Sequence, residues 1–175
     1  WEKTPSMSWG FVPLTRYQGG GPEAVLEPLS EHLEDYEQLM FQYYGAGVQA
    51  CYRGPRLYDT EVTKQMVIQT ISWYKQYRDI LNADIIHLRR ADGRDWDGIL
   101  HVSSQLKQKG FLLLFNPTPE EIKRTIKVPL YYTGLTKVAQ VKERNTTGKP
   151  YQLTRNYEMD LSITLAPQSY TWYVI

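Results

Sequence analysis

Apolar and polar positions follow two different periods along this chain, and the change comes near Asn82. Before it, two short apolar runs alternate with two stretches of helical spacing. Met7–Leu14 (MSWGFVPL) suits a short buried strand, and the loop TRYQGGGPE follows it. Ser30 precedes a stretch in which Leu29, Leu33, Tyr36, Leu39, Met40 and Tyr43 recur at spacings of three and four, giving one apolar helical face. Gly45 and Gly47 stand where left-handed helix caps occur. Val48–Tyr52 (VQACY) is the second short run, closed by Gly54-Pro55. Glu61–Leu81 then predicts an amphipathic helix with Met66, Val67, Thr70, Ile71, Tyr74, Tyr77, Ile80 and Leu81 inward, and Asp59 or Thr60 as its N-cap. The order is strand, helix, strand, helix.

After Asn82 short β-prone runs recur with turn residues between them: Ile85–Leu88, Gly98–Val102, Gly110–Asn116, Thr125–Leu130, Val138–Lys142, Tyr151–Leu153, Met159–Leu165 and Tyr170–Ile175. Ala91–Arg94, Asn116–Pro119, Thr133-Gly134, Asn145–Lys149 and Pro167–Ser169 mark the turns, a spacing that fits an antiparallel sandwich. MDLSITL alternates almost strictly, so one face of that strand is buried and the other polar. The expected fold is therefore α/β plus all-β, with residues 1–82 as one unit and 83–175 as the other. Two βα units cannot close a parallel sheet by themselves, because such a sheet needs several strands with both faces covered. The rest of that sheet is expected upstream.

At 175 residues the chain can bury a sizeable core. Lys+Arg 20 against Asp+Glu 19 builds in no pull toward nucleic acid or an anionic membrane surface, and neither is expected as a partner. A single cysteine, Cys51, allows no intramolecular disulfide, and the compartment stays open. No run reaches the roughly 18 apolar residues that span a bilayer. The opening WEKTPSMSWGFVPL has neither the basic start nor the small-residue cleavage site of a signal peptide and reads as interior sequence.

Candidate chemistry is sparse. His32, His87 and His101 lack a Cys or His at ligand spacing, so no metal is expected. RRADGRDWDG lacks the twelve-residue ligand order of a calcium loop and reads as a charged hairpin turn. The acidic run EHLEDYE fits a solvated helix face near a favourable N-terminus. YQGGGPE lacks both the Walker lysine and the G-x-G-x-x-G spacing, so phosphate cradling gives way to a plain loop, and no cofactor is expected. Cys51 sits in an apolar run without a nearby His, as an inert buried thiol does. YRGPR, after the second apolar run, is either an ordinary turn with surface arginines or the rim of a pocket.

Three segments carry a family resemblance. KGFLLLFNPTPEEIKRTIKVPL resembles the sandwich hairpin in which an apolar strand ends in Asn-Pro. ITLAPQSYTWYVI resembles the closing strand pair of such domains. WYKQYRDILNADIIHLRRADGRDWDG resembles the joint between the last barrel helix and the sandwich in α-galactosidase-like glycoside hydrolases. The resemblance implies the C-terminal portion of such an enzyme, namely the last two βα units of a (β/α)8 barrel and then an antiparallel sandwich of about eight strands. Met7–Leu14 would be the seventh barrel strand and Val48–Tyr52 the eighth. Barrel active sites lie at the carboxyl ends of the strands, so Trp9, Arg16, Tyr52, Arg53 and Arg56 become the candidate carbohydrate contacts. The family's two catalytic carboxylates, about 5 to 5.5 Å apart in retaining enzymes, sit on earlier strands. No catalytic residue is therefore assigned here; the partners implied are a carbohydrate and the N-terminal part of the same barrel.

The competing reading is a non-catalytic carbohydrate-binding or protein-interaction sandwich with a helical N-terminal extension. The two apolar runs discriminate: adjacent parallel strands at Met7–Leu14 and Val48–Tyr52 favour the barrel portion, loops or helix favour the module.

Overall fold

The structure, a computed structural model, describes residues 11–13, 26–47, 51–53 and 56–175, with residues 11–13, 51 and 53 described in backbone alone. These residues form two compact units, one within Ser8–Arg78 and one within Asp79–Ile175.

In the first unit, strand β1 (Phe11–Pro13) pairs in parallel with strand β2 (Cys51–Arg53), in the register Phe11↔Cys51, Val12↔Tyr52, Pro13↔Arg53. Helix α1 (Leu33–Gly45) lies between them in sequence, so the chain makes a strand–helix–strand crossover of the kind parallel pairing requires. The flanks of both expected runs, Met7–Gly10, Leu14 and Val48–Ala50, lie outside the described residues. A single 3-10 turn, Leu29–Glu31, leads into α1. Gly45 is still helical, and it is Gly47, at φ +69°, that takes the left-handed closing position, its N–H donating to the Tyr44 carbonyl at 3.1 Å.

Helix α2 (Glu61–Leu81) begins at Thr60, whose Oγ1 accepts from the Thr63 N–H at 3.3 Å. Thr63 reaches back in turn, its Oγ1 accepting from the Thr60 N–H at 3.0 Å, a reciprocal cap with threonine where glutamate is commoner. Leu29, Tyr36, Met40, Tyr43, Met66 and Val67 form the buried cluster between α1 and α2, with Leu33, Leu39 and Ile71 half-buried beside it. The rings of Phe41 and Trp73 meet edge-on at 4.5 Å and those of Tyr44 and Tyr74 lie tilted at 4.7 Å, which extends this contact along both helices.

The second unit, which also takes the last residues of α2, is antiparallel sheet. Its strands are β3 (Asp84–His87), β4 (Asp97–Val102), β5 (Gly110–Asn116), β6 (Ile122–Pro129), β7 (Val138–Glu143), β8 (Lys149–Gln152), β9 (Glu158–Leu165) and β10 (Ser169–Val174). Six of them form one sheet in the order β3-β4-β5-β10-β7-β8, while β6 and β9 pair apart as a two-stranded sheet. The core lies between the sheets. Leu100, Leu112, Leu114, Val141 and Tyr173 meet Ile126, Val128, Met159, Leu161 and Ile163 there. In β9 the alternation is complete, with Met159, Leu161, Ile163 and Leu165 buried and Asp160, Ser162 and Thr164 exposed. On the polar side Lys127 and Asp160, directly opposite in register, pair at 3.0 Å. Edge strand β8 carries Pro150, which cannot donate to a ladder and so blunts the edge.

Candidate functional site

Residues 56–60, which follow the parallel pair in sequence, are tied to the start of α1 and the turn before it. Arg56 forms a two-pronged pair with Glu27, Nε to Oε1 at 3.2 Å and Nη2 to Oε2 at 2.8 Å. The Glu27 carboxylate pushes the guanidinium pKa still higher, so the charge is permanent. Tyr36 donates its hydroxyl to the Leu57 carbonyl at 2.9 Å. Asp59 accepts from the Ser30 N–H at 3.0 Å and the Ser30 hydroxyl at 3.1 Å through Oδ2, and from the Thr63 hydroxyl at 2.9 Å through Oδ1. Desolvation pushes the Asp59 carboxyl up, but these hydrogen bonds outweigh it, and its pKa lies below the ordinary value.

Tyr52, in β2, is half-buried and turned onto α1. Its hydroxyl lies 2.9 Å from that of Tyr44. Burial first, and then the bond to Tyr44, push the Tyr52 pKa upward, and burial does the same for Tyr36. Two phenol hydroxyls sharing one hydrogen bond use one hydrogen between them. The second proton of the pair is the group a ligand oxygen can accept.

Of the five residues singled out from the sequence, then, Tyr52 and Arg56 have described side chains. Arg53 ends β2 and its side chain is not described; Trp9 and Arg16 lie outside the described residues. Sequence reasoning missed Tyr44, Glu27 and Ser30. Tyr44 follows Tyr43 on α1, and nothing in the helical period marks its hydroxyl as the partner of a strand residue. Glu27 and Ser30 each lie 29 positions from their partners. Among the described residues no group of three His, Cys, Asp or Glu side chains is placed to hold a metal. No described helix is long and apolar enough to cross a membrane.

The arrangement can donate hydrogen bonds and present fixed charge beside a strand end. No protein-family model and no curated protein matches the chain. Among solved structures it is similar to AmyP in complex with maltose, at 14% identity over 65% of this chain and 20% of that one, with a TM-score of 0.43. It is also similar to a candidate alpha-N-acetylgalactosaminidase of Bacillus halodurans C-125, at 13% identity over 79% of this chain and 31% of that one, with a TM-score of 0.48. A third is a candidate alpha-galactosidase of Bacteroides fragilis NCTC 9343, at 13% identity over 81% of this chain and 28% of that one, with a TM-score of 0.47. The chain spans less than a third of the length of each. These neighbours are glycoside hydrolases, the class to which the sequence resemblance points.

Proposed function

We propose that this chain is the C-terminal part of a glycoside hydrolase, made of the last two βα units of a (β/α)8 barrel and a C-terminal antiparallel sandwich that begins near residue 83. The observation that carries the reading is the parallel register of Phe11–Pro13 on Cys51–Arg53 with α1 between them. A parallel pair joined through a helix is the repeating element of such a barrel, and it is stable as part of a larger covered sheet. The strands that complete it, and with them the catalytic carboxylate pair, belong upstream.

On this reading the carboxyl end of β2 faces substrate. Trp9, Arg16, Tyr52, Arg53 and Arg56 are the proposed carbohydrate contacts. Tyr52 acts jointly with Tyr44, the pair offering one phenolic proton to a sugar oxygen. Arg56 uses two of its five donors on Glu27 and offers the others to hydroxyls. The sandwich stabilises the barrel, and no step of bond cleavage is assigned to it.

Hydrolysis of a panel of aryl glycosides tests the proposal. The 175-residue chain should show no turnover, whereas the longer gene product containing it should hydrolyse at least one member. Arg56→Ala in that longer protein should raise KM more than it lowers kcat. Turnover by the 175-residue chain that a point change within it abolishes would overturn the reading.

A further inference from the structure

The second unit holds a cavity that the barrel reading does not use. It opens at the end of the sandwich where the β7–β8 hairpin meets β9, and its volume is about 200 Å3. Its floor is made by Val141, Leu161 and Tyr173, all buried core residues. The rim is polar, lined by Glu143, Thr147 and Lys149 and by Ser162, whose hydroxyl is turned to Thr125 at 3.3 Å on the outer face of β9. Pockets for drug-sized ligands run from roughly 300 Å3 upward, so this one suits a single ring.

The polar groups are held in place. Tyr173 and Glu143 are directly opposite in the β10–β7 ladder, so their side chains share the inner face. Thr171, two residues from Tyr173 on the same face, donates its hydroxyl to Glu143 Oε1 at 2.9 Å. The Thr146 hydroxyl donates to the Glu143 carbonyl at 2.6 Å, which fixes the turn carrying Thr147. Burial first, and then the adjacent Glu143 carboxylate and a hydrogen bond to it, push the Tyr173 hydroxyl pKa upward.

One carboxylate and one ammonium cancel in charge, which selects against a simple anion or cation. Hydroxyls and a carboxylate around an apolar and aromatic floor match a molecule with a polar edge and C–H faces. We infer that this cavity binds a neutral polyhydroxylated ring the size of one monosaccharide, with Glu143 accepting from two ligand hydroxyls and Tyr173 beneath the ring. The inference goes beyond the barrel reading and stands or falls without it.

Titration of the 15N-labelled 175-residue chain with glucose, galactose, mannose and N-acetylglucosamine, and with glycerol as control, tests it. At least one sugar should give saturable shifts at the amides of Glu143, Thr146, Thr147 and Ser162, with half-saturation in the millimolar range expected of so small a ligand. Glu143→Gln should weaken binding about tenfold or more, as loss of hydrogen bonds to a charged group does. Thr147→Trp, a change at an exposed rim position, should fill the cavity and remove the shifts while leaving the melting temperature unchanged. The inference is overturned by the absence of saturable shifts with all four sugars at about 100 mM. It is equally overturned if glycerol produces the same shifts, or if they persist in folded Thr147→Trp.

Discussion

The side-chain amide of Asn116 at the end of β5 donates to the main-chain carbonyl of Ala166 at 2.8 Å, across 50 positions of sequence. The same nitrogen lies 2.6 Å from the Glu120 carbonyl and 3.2 Å from that of Leu165, and Oδ1 accepts from the Thr118 N–H and hydroxyl at 2.9 and 2.7 Å. One wholly buried residue thus joins the six-stranded sheet to the turns at the end of the β6–β9 pair.

Removing that amide takes the donor away at once from the Glu120 and Ala166 carbonyls, in half-buried bonds, and from the Leu165 carbonyl, in a buried one. Asn116→Ala should cost about 2 to 4 kcal/mol of unfolding free energy. Asn116→Asp should cost more at pH 7, because a carboxylate presents acceptors to acceptors, and part of the extra loss should return at acid pH as the carboxyl regains a proton. Urea melts at both pH values check this. A cost near that of an ordinary surface change would mean that the network is idle.

Gln168 closes the β9–β10 turn at φ +47° and is exposed. A side chain with a Cβ pays roughly 1 kcal/mol to sit in the left-handed region. Its N–H donates to the Thr118 carbonyl at 2.9 Å, a bond that any residue keeps. Gln168→Gly should therefore raise stability by about 0.5 to 1 kcal/mol, and Gln168→Val should lower it. The pair of thermal melts must move in opposite directions.

Much of this architecture is legible in the residues. The strict alternation of MDLSITL matches the burial of β9, and the unbroken apolar run FLLLF matches β5, which is buried at every position. The helical spacing from Met66 to Tyr77 places Met66, Val67, Thr70 and Tyr77 inward, with Trp73 buried where Ile71 and Tyr74 are only half-buried. What the sequence does not carry is pairing across distance. β6 and β9 look like any other strands, yet they leave the main sheet to form the opposing layer. Strand β8 (KPYQ) has one half-buried aromatic, Tyr151, and little apolar signal, so its expected position is displaced from Lys149–Gln152 to Tyr151–Leu153. At the candidate site the strand-end position of Tyr52 is visible from the run VQACY, whereas its hydroxyl partner on α1 is a product of the crossover.

Asp92 sets an acid-side test. Both its oxygens accept from Arg89, at 3.2 and 2.8 Å, and the Arg94 N–H adds a third bond at 3.0 Å. These groups, Arg89 foremost, hold its carboxyl at about 2. An unfolded aspartate titrates near 3.9, so a folded pKa below that value adds stability above about pH 4 and loses it as pH falls toward 2. The melting-temperature gap between this chain and Asp92→Asn should be full at neutral pH and close through that window. A gap independent of pH between 4 and 2 would show that the ion pair contributes nothing as a charge.

The Tyr44–Tyr52 pair makes the corresponding alkaline test. Either Tyr44→Phe or Tyr52→Phe removes the shared bond and leaves the other hydroxyl half-buried, at a cost of about 0.5 to 1.5 kcal/mol each. The double change strands neither hydroxyl, so its cost should fall short of the sum. The Tyr52 phenol has a folded pKa above its unfolded value of about 10. Its neutral form is therefore favoured by folding, and the stability it carries is full below pH 10 and erodes as pH rises past that point. Tyr52→Phe should flatten this alkaline loss, and Tyr44→Phe should flatten it less, because burial, the first cause of the shift, stays with Tyr52. Equal flattening by both variants would make the hydroxyl contact, and not burial on α1, the controlling term.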